Sequence, residues 1–141
     1  MTLRHPDALQ LMLIDSDEHV RESLKVFFDD SHTDFRVFKS AKEGLNALKY
    51  QRADVVICDY FLPDMDGVAF LEEVACLNPL AKRILMATLA SDELEEKIQQ
   101  AGIDHFIEKP LTVASLDHII SGLNDTSTPA TDRKPSGDKN G

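Results

Sequence analysis

Five short apolar runs rich in branched side chains alternate with five stretches whose apolar residues recur at helical spacing, and this alternation restricts the fold more tightly than any other feature. The runs are Leu9–Ile14, Phe35–Phe38, Asp54–Cys58, Ile84–Ala87 and Ile103–Ile107. Strands separated by helical segments predict an α/β domain with a parallel sheet, because a parallel neighbour can be reached only through a long crossover. Three of the runs (LQLMLI, VVIC and ILMA) are apolar at nearly every position, as strands covered by helices on both faces must be. The run around Phe35 carries Arg36 and Lys39 and reads as an edge. Right-handed crossovers leave few strand orders open, and the order 2-1-3-4-5 places the three most apolar runs inside.

Between the runs, Val20, Leu24, Phe27 and Phe28 recur at i, i+4, i+7 and i+8. The first helix therefore buries one stripe and exposes Glu18, Arg21, Glu22 and Lys25. Leu116, Ile119, Ile120 and Leu123 repeat the pattern in a fifth helix. Ser40 with Glu43 three residues on is a capping box that opens the second helix, and Asp66, Ser91 and Thr112 are the expected N-caps of the third, fourth and fifth. After Leu123 the sequence NDTSTPATDRKPSGDKNG has no apolar periodicity and is dense in Ser, Thr, Pro, Gly and Asp. The expected organisation is an N-terminal extension over 1–8, one domain over 9–123, and a disordered tail or linker over 124–141. The chain either stands alone or leads a longer protein.

Charge narrows the partners. The 25 Asp and Glu against 15 Lys and Arg give a formal charge of -10. The tail adds nothing to this, since Asp125, Asp132 and Asp138 offset Arg133, Lys134 and Lys139. The excess sits on the domain and repels nucleic-acid phosphates, so direct nucleic-acid binding is not expected. No apolar run approaches the roughly 18 residues that span a bilayer, and the short polar stretch Met1–Asp7 has no signal-peptide pattern. A cytoplasmic location without membrane contact is expected. Cys58 and Cys76, eighteen positions apart in apolar surroundings, fit neither a disulfide framework nor a zinc pattern and read as core residues.

Ligands of an open parallel sheet bind outside the carboxyl ends of its strands. The residues just past the apolar runs are Asp15, Asp59, Thr88 and, shortly after the fifth run, Lys109. Two carboxylates, a hydroxyl and an ammonium thus converge on one edge from widely separated points in the chain. Neighbouring carboxylates repel unless a cation lies between them, and oxygen-only ligands select a hard ion such as Mg2+ that also bridges to phosphate. A carboxylate is also a nucleophile toward phosphorus. With Lys109 and Thr88 directed at phosphoryl oxygens, the set reads as phosphoryl transfer onto an aspartate.

The segments LMLIDSDEHVRESL, VVICDYFLPDMDG, ILMAT and FIEKPL, in that order and spacing over about Leu9 to Leu123, resemble the receiver domain of two-component response regulators. The resemblance implies a flavodoxin-like doubly wound (βα)5 fold. It makes Asp59 the phospho-acceptor, Asp15 part of an acidic Mg2+ pocket, and the backbone carbonyl of Phe61 a further metal ligand. It also sets Thr88 and Lys109 on the phosphoryl group, Thr88 and Phe106 as the switch pair, and the Lys109–Pro110 bond as cis. The implied partners are a histidine kinase or phosphotransfer protein as donor and an effector that docks on the fourth helix, fifth strand and fifth helix; a homodimer is compatible with the same face. Such a chain is not an enzyme beyond assisting its own phosphoryl transfer and dephosphorylation.

Two positions depart from the family pattern. Receivers usually carry a second acidic residue directly after the first as a direct Mg2+ ligand beside the acceptor aspartate, here Asp59; this chain has Ser16 there, with Asp17 one place further on as the other candidate for that ligand. Leu89 stands where a small residue usually follows the threonine, and its side chain is expected to narrow access to Asp59. These departures support an alternative, a pseudo-receiver that keeps the fold as an interaction module with impaired phosphorylation. A second alternative is a phosphatase using the D-x-D spacing of Asp15, Ser16 and Asp17, although that reading leaves Asp59 and the Lys-Pro pair without a role. Asp64 and Asp66 in the turn PDMDG read as turn and helix cap. The five histidines show no ligand spacing, and only His19 lies near Asp15 and Asp17. The acidic segment SDELEEKIQQ reads as a solvated helix face that is also an interface candidate.

Overall fold

A computed structural model describes residues 9–27 and 33–109, together with 111, 112, 114, 115, 117, 118 and 121. The described elements are β1 (Leu9–Ile14), α1 (Glu18–Phe27), β2 (Thr33–Phe38), α2 (Ala41–Leu48), β3 (Val55–Asp59), α3 (Gly67–Leu77), β4 (Lys82–Ala87), α4 (Asp92–Ala101) and β5 (His105–Glu108). All pairings are parallel, in the order β2-β1-β3-β4-β5, as the apolar pattern predicts. Contacts divide the chain into two units, Met1–Leu111 and Thr112–Gly141. In the second, the Thr112 hydroxyl accepts from the Ser115 N–H at 3.0 Å, the expected cap. Most of the fifth helix, the extension over 1–8 and the tail over 124–141 lie outside the described residues.

The sheet explains the apolar runs. Every residue of β3 is buried, as are the last four of β1 and of β4. One face packs Met12, Ile14, Val56, Cys58, Leu85 and Ala87 against a cluster that includes Phe70, Leu71 and Val74 of α3. The alternate residues Leu11, Leu13, Val55, Ile57, Ile84 and Met86 are buried as well. Each such side chain contributes about 1.5–3 kcal/mol on leaving water. β2 is half-buried along its whole length, the profile expected of an edge.

Strand boundaries shift where polar residues join the ladder. β2 begins at Thr33 and β4 at Lys82, two residues before their apolar runs, because strand-end side chains reach solvent while the backbone still pairs, Lys82 with Val55. β3 runs Val55–Asp59, one residue later than its run, because the Asp54 carboxylate turns back to accept from the Gln10 N–H at 2.8 Å. β5 starts at His105, not Ile103. Ile103 instead closes α4: Gly102 takes the left-handed conformation (φ 69°) and the Ile103 N–H donates to the Ile98 carbonyl at 3.1 Å, a Schellman ending with its apolar residue tucked in.

The caps at Asp66 and Ser91 accept from the N–H of Ala69 and Leu94. At α2 half of the capping box forms: the Ser40 hydroxyl accepts from the Glu43 N–H at 3.3 Å, but the Glu43 carboxylate accepts from Lys39, one residue ahead of the cap, at 3.4 Å. Asp17 caps α1, with its side chain accepting from the His19 N–H at 2.9 Å and its carbonyl from Arg21 at 3.2 Å.

Candidate functional site

The ladder continues one step past the strands and carries the chemistry to one edge. Asp15 N–H donates to the Phe38 carbonyl at 3.0 Å, Tyr60 N–H to Met86 at 2.8 Å, and Lys109 N–H to Ala87 at 2.8 Å. Asp15 therefore follows β1, Asp59 ends β3, Thr88 follows β4 and Lys109 follows β5 on the same side of the sheet.

Three of these four side chains meet. Lys109 Nζ donates to Asp59 Oδ2 at 2.9 Å and lies 3.7 Å from Asp15 Oδ2, an ion-pair distance beyond hydrogen bonding. Asp15 is fully buried and Asp59 nearly so. Asp15 Oδ1 accepts from the Asp17 N–H at 2.8 Å, while Asp59 Oδ1 accepts from the Phe61 N–H at 3.4 Å. Burial pushes the Asp15 carboxyl above the usual carboxylate range; the Asp17 N–H and the Lys109 charge oppose that rise, and the Asp59 charge adds to it. Burial would lower the Lys109 pKa, but the hydrogen bond to Asp59 and the charges of both carboxylates outweigh it and hold the ammonium above its usual range.

Two carboxylates against one ammonium leave a net negative charge, and the oxygens suit a hard cation. Asp15 Oδ2 is buried without a hydrogen-bond partner, an arrangement that is costly unless something else fills the role. Among the described residues the Phe61 carbonyl also accepts no hydrogen bond. Asp15 and Asp59 thus offer oxygens of the kind that Mg2+ takes, and the Phe61 carbonyl is the further oxygen that could join them. Ser16 is exposed beside them. Asp17 has its carboxylate committed to the cap of α1, and no cluster of three His, Cys, Asp or Glu side chains suited to a metal occurs among the described residues.

Thr88 stands exposed past β4. Among the described residues its hydroxyl makes no hydrogen bond to Asp59 or Lys109. It lines a cavity of about 360 Å³ with Tyr60, Phe61, Leu89, Ser91 and Lys97. Phe61 and Leu89 are each 74% exposed, and the Phe61 ring meets that of Tyr60 edge-on at 4.8 Å. Phe106 is half-buried on β5, paired in register with Leu85 and packed on the core. The expected cis bond before Pro110 lies outside the described residues. Cys58, directly before Asp59, is buried, and burial followed by the Asp59 charge pushes its thiol pKa up, as a structural cysteine requires, whereas Cys76 is exposed on α3 and is not a core residue.

Two residues belong to the site that the sequence pattern did not mark. Arg21 is not on the solvated face of α1: it is half-buried, and its Nη1 donates to the Asp15 carbonyl at 2.8 Å. The spacing of six residues from Asp15, one helical turn into α1, was the available signal. Asp64 caps α2 rather than its own helix, accepting from the N–H groups of Ala41 at 3.0 Å and Lys42 at 2.8 Å. Partial desolvation raises its pKa, but those two hydrogen bonds prevail and hold it below the usual range. No local pattern announces a contact made across 22 residues.

The response regulator receiver domain family matches residues 11–121. The chemotaxis protein CheY of Listeria monocytogenes is 30% identical over 118 residues, which cover 82% of this chain and 95% of CheY. The response regulator Rre1 of Synechocystis is 30% identical over 121 residues, 83% of this chain but 52% of Rre1. Among solved structures, a CheY-like receiver domain protein from Methanospirillum hungatei matches with a TM-score of 0.78 at 27% identity, covering 84% of this chain and 95% of that one.

Proposed function

The chain belongs to the response regulator receiver family of two-component signal transduction, and from that premise we propose that Asp59 is phosphorylated by a histidine kinase or a phosphotransfer protein with the help of Mg2+. The observation that carries the reading is the buried pair Asp15 and Asp59 sharing one ammonium, with Asp15 Oδ2 at ion-pair distance from it but accepting no hydrogen bond. An Asp59 carboxylate oxygen attacks the phosphorus of the donor, the bond from phosphorus to the donor nitrogen breaks, and the imidazole leaves with the electron pair. Bound Mg2+ would screen the phosphoryl oxygens from Asp15 and Asp59. Lys109, 2.9 Å from Asp59, is within reach of a phosphoryl oxygen once the carboxylate becomes an acyl phosphate. The Thr88 hydroxyl moves inward to a second one, and Phe106 follows, reshaping the surface of α4 and β5 that an effector reads. Only one phosphoryl group is held and none is turned over as in an enzyme. The acidic charge supports a protein partner rather than nucleic acid as the direct contact.

Among the described residues no helix is long and apolar enough to cross a membrane, and a cytoplasmic site of action is part of the proposal.

A second reading keeps the fold and discards efficient phosphorylation. It is favoured by the commitment of Asp17 to its helix cap, which leaves Ser16 where receivers usually place a charged ligand. One experiment decides between the two. The protein is incubated with a small phosphodonor and Mg2+ and its intact mass is measured, with Asp59→Asn as control. The proposal expects one added phosphoryl group in the wild type and none in the variant. No gain in the wild type supports the pseudo-receiver.

A further inference from the structure

Asp64 lies outside the acceptor set, yet it is the point at which the loop following β3 is fastened to another element. Its two carboxylate oxygens accept separately from the N–H groups of Ala41 and Lys42, the first two residues of α2. The Ser40 hydroxyl satisfies the third N–H, that of Glu43. All three donors at the start of α2 are therefore engaged, two of them by a carboxylate more than twenty residues away.

The same loop is fixed at its far end. Gly67 N–H donates to the Tyr60 carbonyl at 2.7 Å, Phe61 bridges to Asp66, and Asp66 caps α3. Between these fastenings sits the Phe61 carbonyl, which accepts no hydrogen bond among the described residues and is a donor to the cation in the proposed function. Around Phe61 the backbone is held by the bridge to Asp66 and by a long 3.4 Å contact of its N–H with Asp59, and both of these depend on the course of the loop that Asp64 fastens.

We propose that Asp64 is a positioning residue for the metal site: by clamping the loop onto the start of α2, it holds the Phe61 carbonyl where the cation needs it. The clamp joins a carboxylate to the partial positive charge of a helix N-terminus, which favours it. It is rigid because both oxygens are held. Partners that orient a metal ligand from outside the coordination sphere typically change affinity by about 10–100-fold when removed. The proposal rests on the receiver reading above and extends it to a residue that does not touch the metal.

The test compares the full chain with Asp64→Ala, Asp64→Asn and Ser40→Ala, measuring the Mg2+ dissociation constant by titration and amide exchange in the segment 60–67. Asp64→Ala should weaken Mg2+ binding about tenfold and speed exchange in that segment. Asp64→Asn, which keeps one acceptor, should fall between it and the wild type. Ser40→Ala removes a cap of the same helix without releasing the loop, and should leave both readouts at wild-type values. The proposal is overturned if Asp64→Ala binds Mg2+ like the wild type, or if Ser40→Ala weakens binding equally, since the effect would then be one of helix stability. Should Asp64→Ala fail to fold, Asp64→Asn carries the test, and wild-type affinity in it overturns the proposal. If the wild type binds no Mg2+ and takes no phosphoryl group, the receiver mechanism falls and this clamp falls with it.

Discussion

At the scale of single residues, burial sets the behaviour of Asp15. Its carboxyl is held above the usual range chiefly by desolvation, so the folded protein binds that proton more tightly than the unfolded chain does. Charged Asp15 therefore destabilises the metal-free fold at neutral pH, and the penalty is relieved as pH falls through the raised pKa toward the ordinary range. Asp15→Asn keeps the shape and removes the charge. In the absence of divalent ions it should be more stable than the wild type at pH 7 by on the order of 1 kcal/mol, a gain that shrinks toward about pH 4. Denaturant unfolding at the two pH values checks this, and a loss of stability at pH 7 would mean that the Lys109 contact outweighs burial. Leu89 supplies a second prediction. It is 74% exposed at the cavity it shares with Thr88, so Leu89→Ala should change stability by less than about 0.5 kcal/mol. If the isobutyl group gates the approach to Asp59, phosphorylation by a small donor and spontaneous dephosphorylation should both accelerate a few-fold. A rise in only one rate assigns Leu89 to packing or partner contact. Asp15, Asp59 and Lys109 were legible in the sequence because strand ends follow apolar runs, and strand ends converge in a parallel sheet. Asp64 was not, because a side chain that reaches backbone groups more than twenty residues away leaves no period and no fixed spacing, and Arg21 was marked only by its six-residue distance from Asp15.

The elements show the same division. Runs buried on both faces identify β1, β3 and β4 on composition alone, and the 2-1-3-4-5 order follows from placing them inside. Ile103 reads as a strand residue in the sequence because apolarity alone does not separate the first residue of a strand from the apolar residue that closes a Schellman turn; the Gly102 before it, at φ 69°, makes the difference. The junction of β3 and α3 is where element packing touches function most directly. A Cβ on Gly67 would lie 2.5 Å from the Asp59 carbonyl oxygen and 2.9 Å from Tyr60 Cα. Both neighbours are backbone and cannot swing aside. Gly67→Ala should therefore cost about 1–3 kcal/mol of stability and slow phosphorylation, because the backbone that must yield is the one carrying Asp59. Unfolding and phosphorylation rate measured on the same preparation test this. Full stability with an unchanged rate would show that α3 can retreat from the strand.

For the whole molecule, the cation and the fold are linked. A ligand that binds only the folded state stabilises it by about 2.7 kcal/mol at one hundred times its dissociation constant, so Mg2+ should raise the melting temperature, and by more the tighter the site. Ser16→Asp adds a carboxylate beside the pocket. It should lower the melting temperature without metal, through repulsion with Asp15 and Asp59, and raise it more steeply with Mg2+. Identical Mg2+ dependence in the two proteins would mean that residue 16 does not face the cation. In the proposed function this edge of the sheet carries a phosphoryl group on Asp59. The most direct test is to locate the modification by fragmenting the protein after reaction with a small phosphodonor and Mg2+. A single phosphoryl group on the peptide containing Asp59 is expected. A group found instead on the peptide containing Asp15 and Asp17 would contradict it and favour the D-x-D phosphatase chemistry.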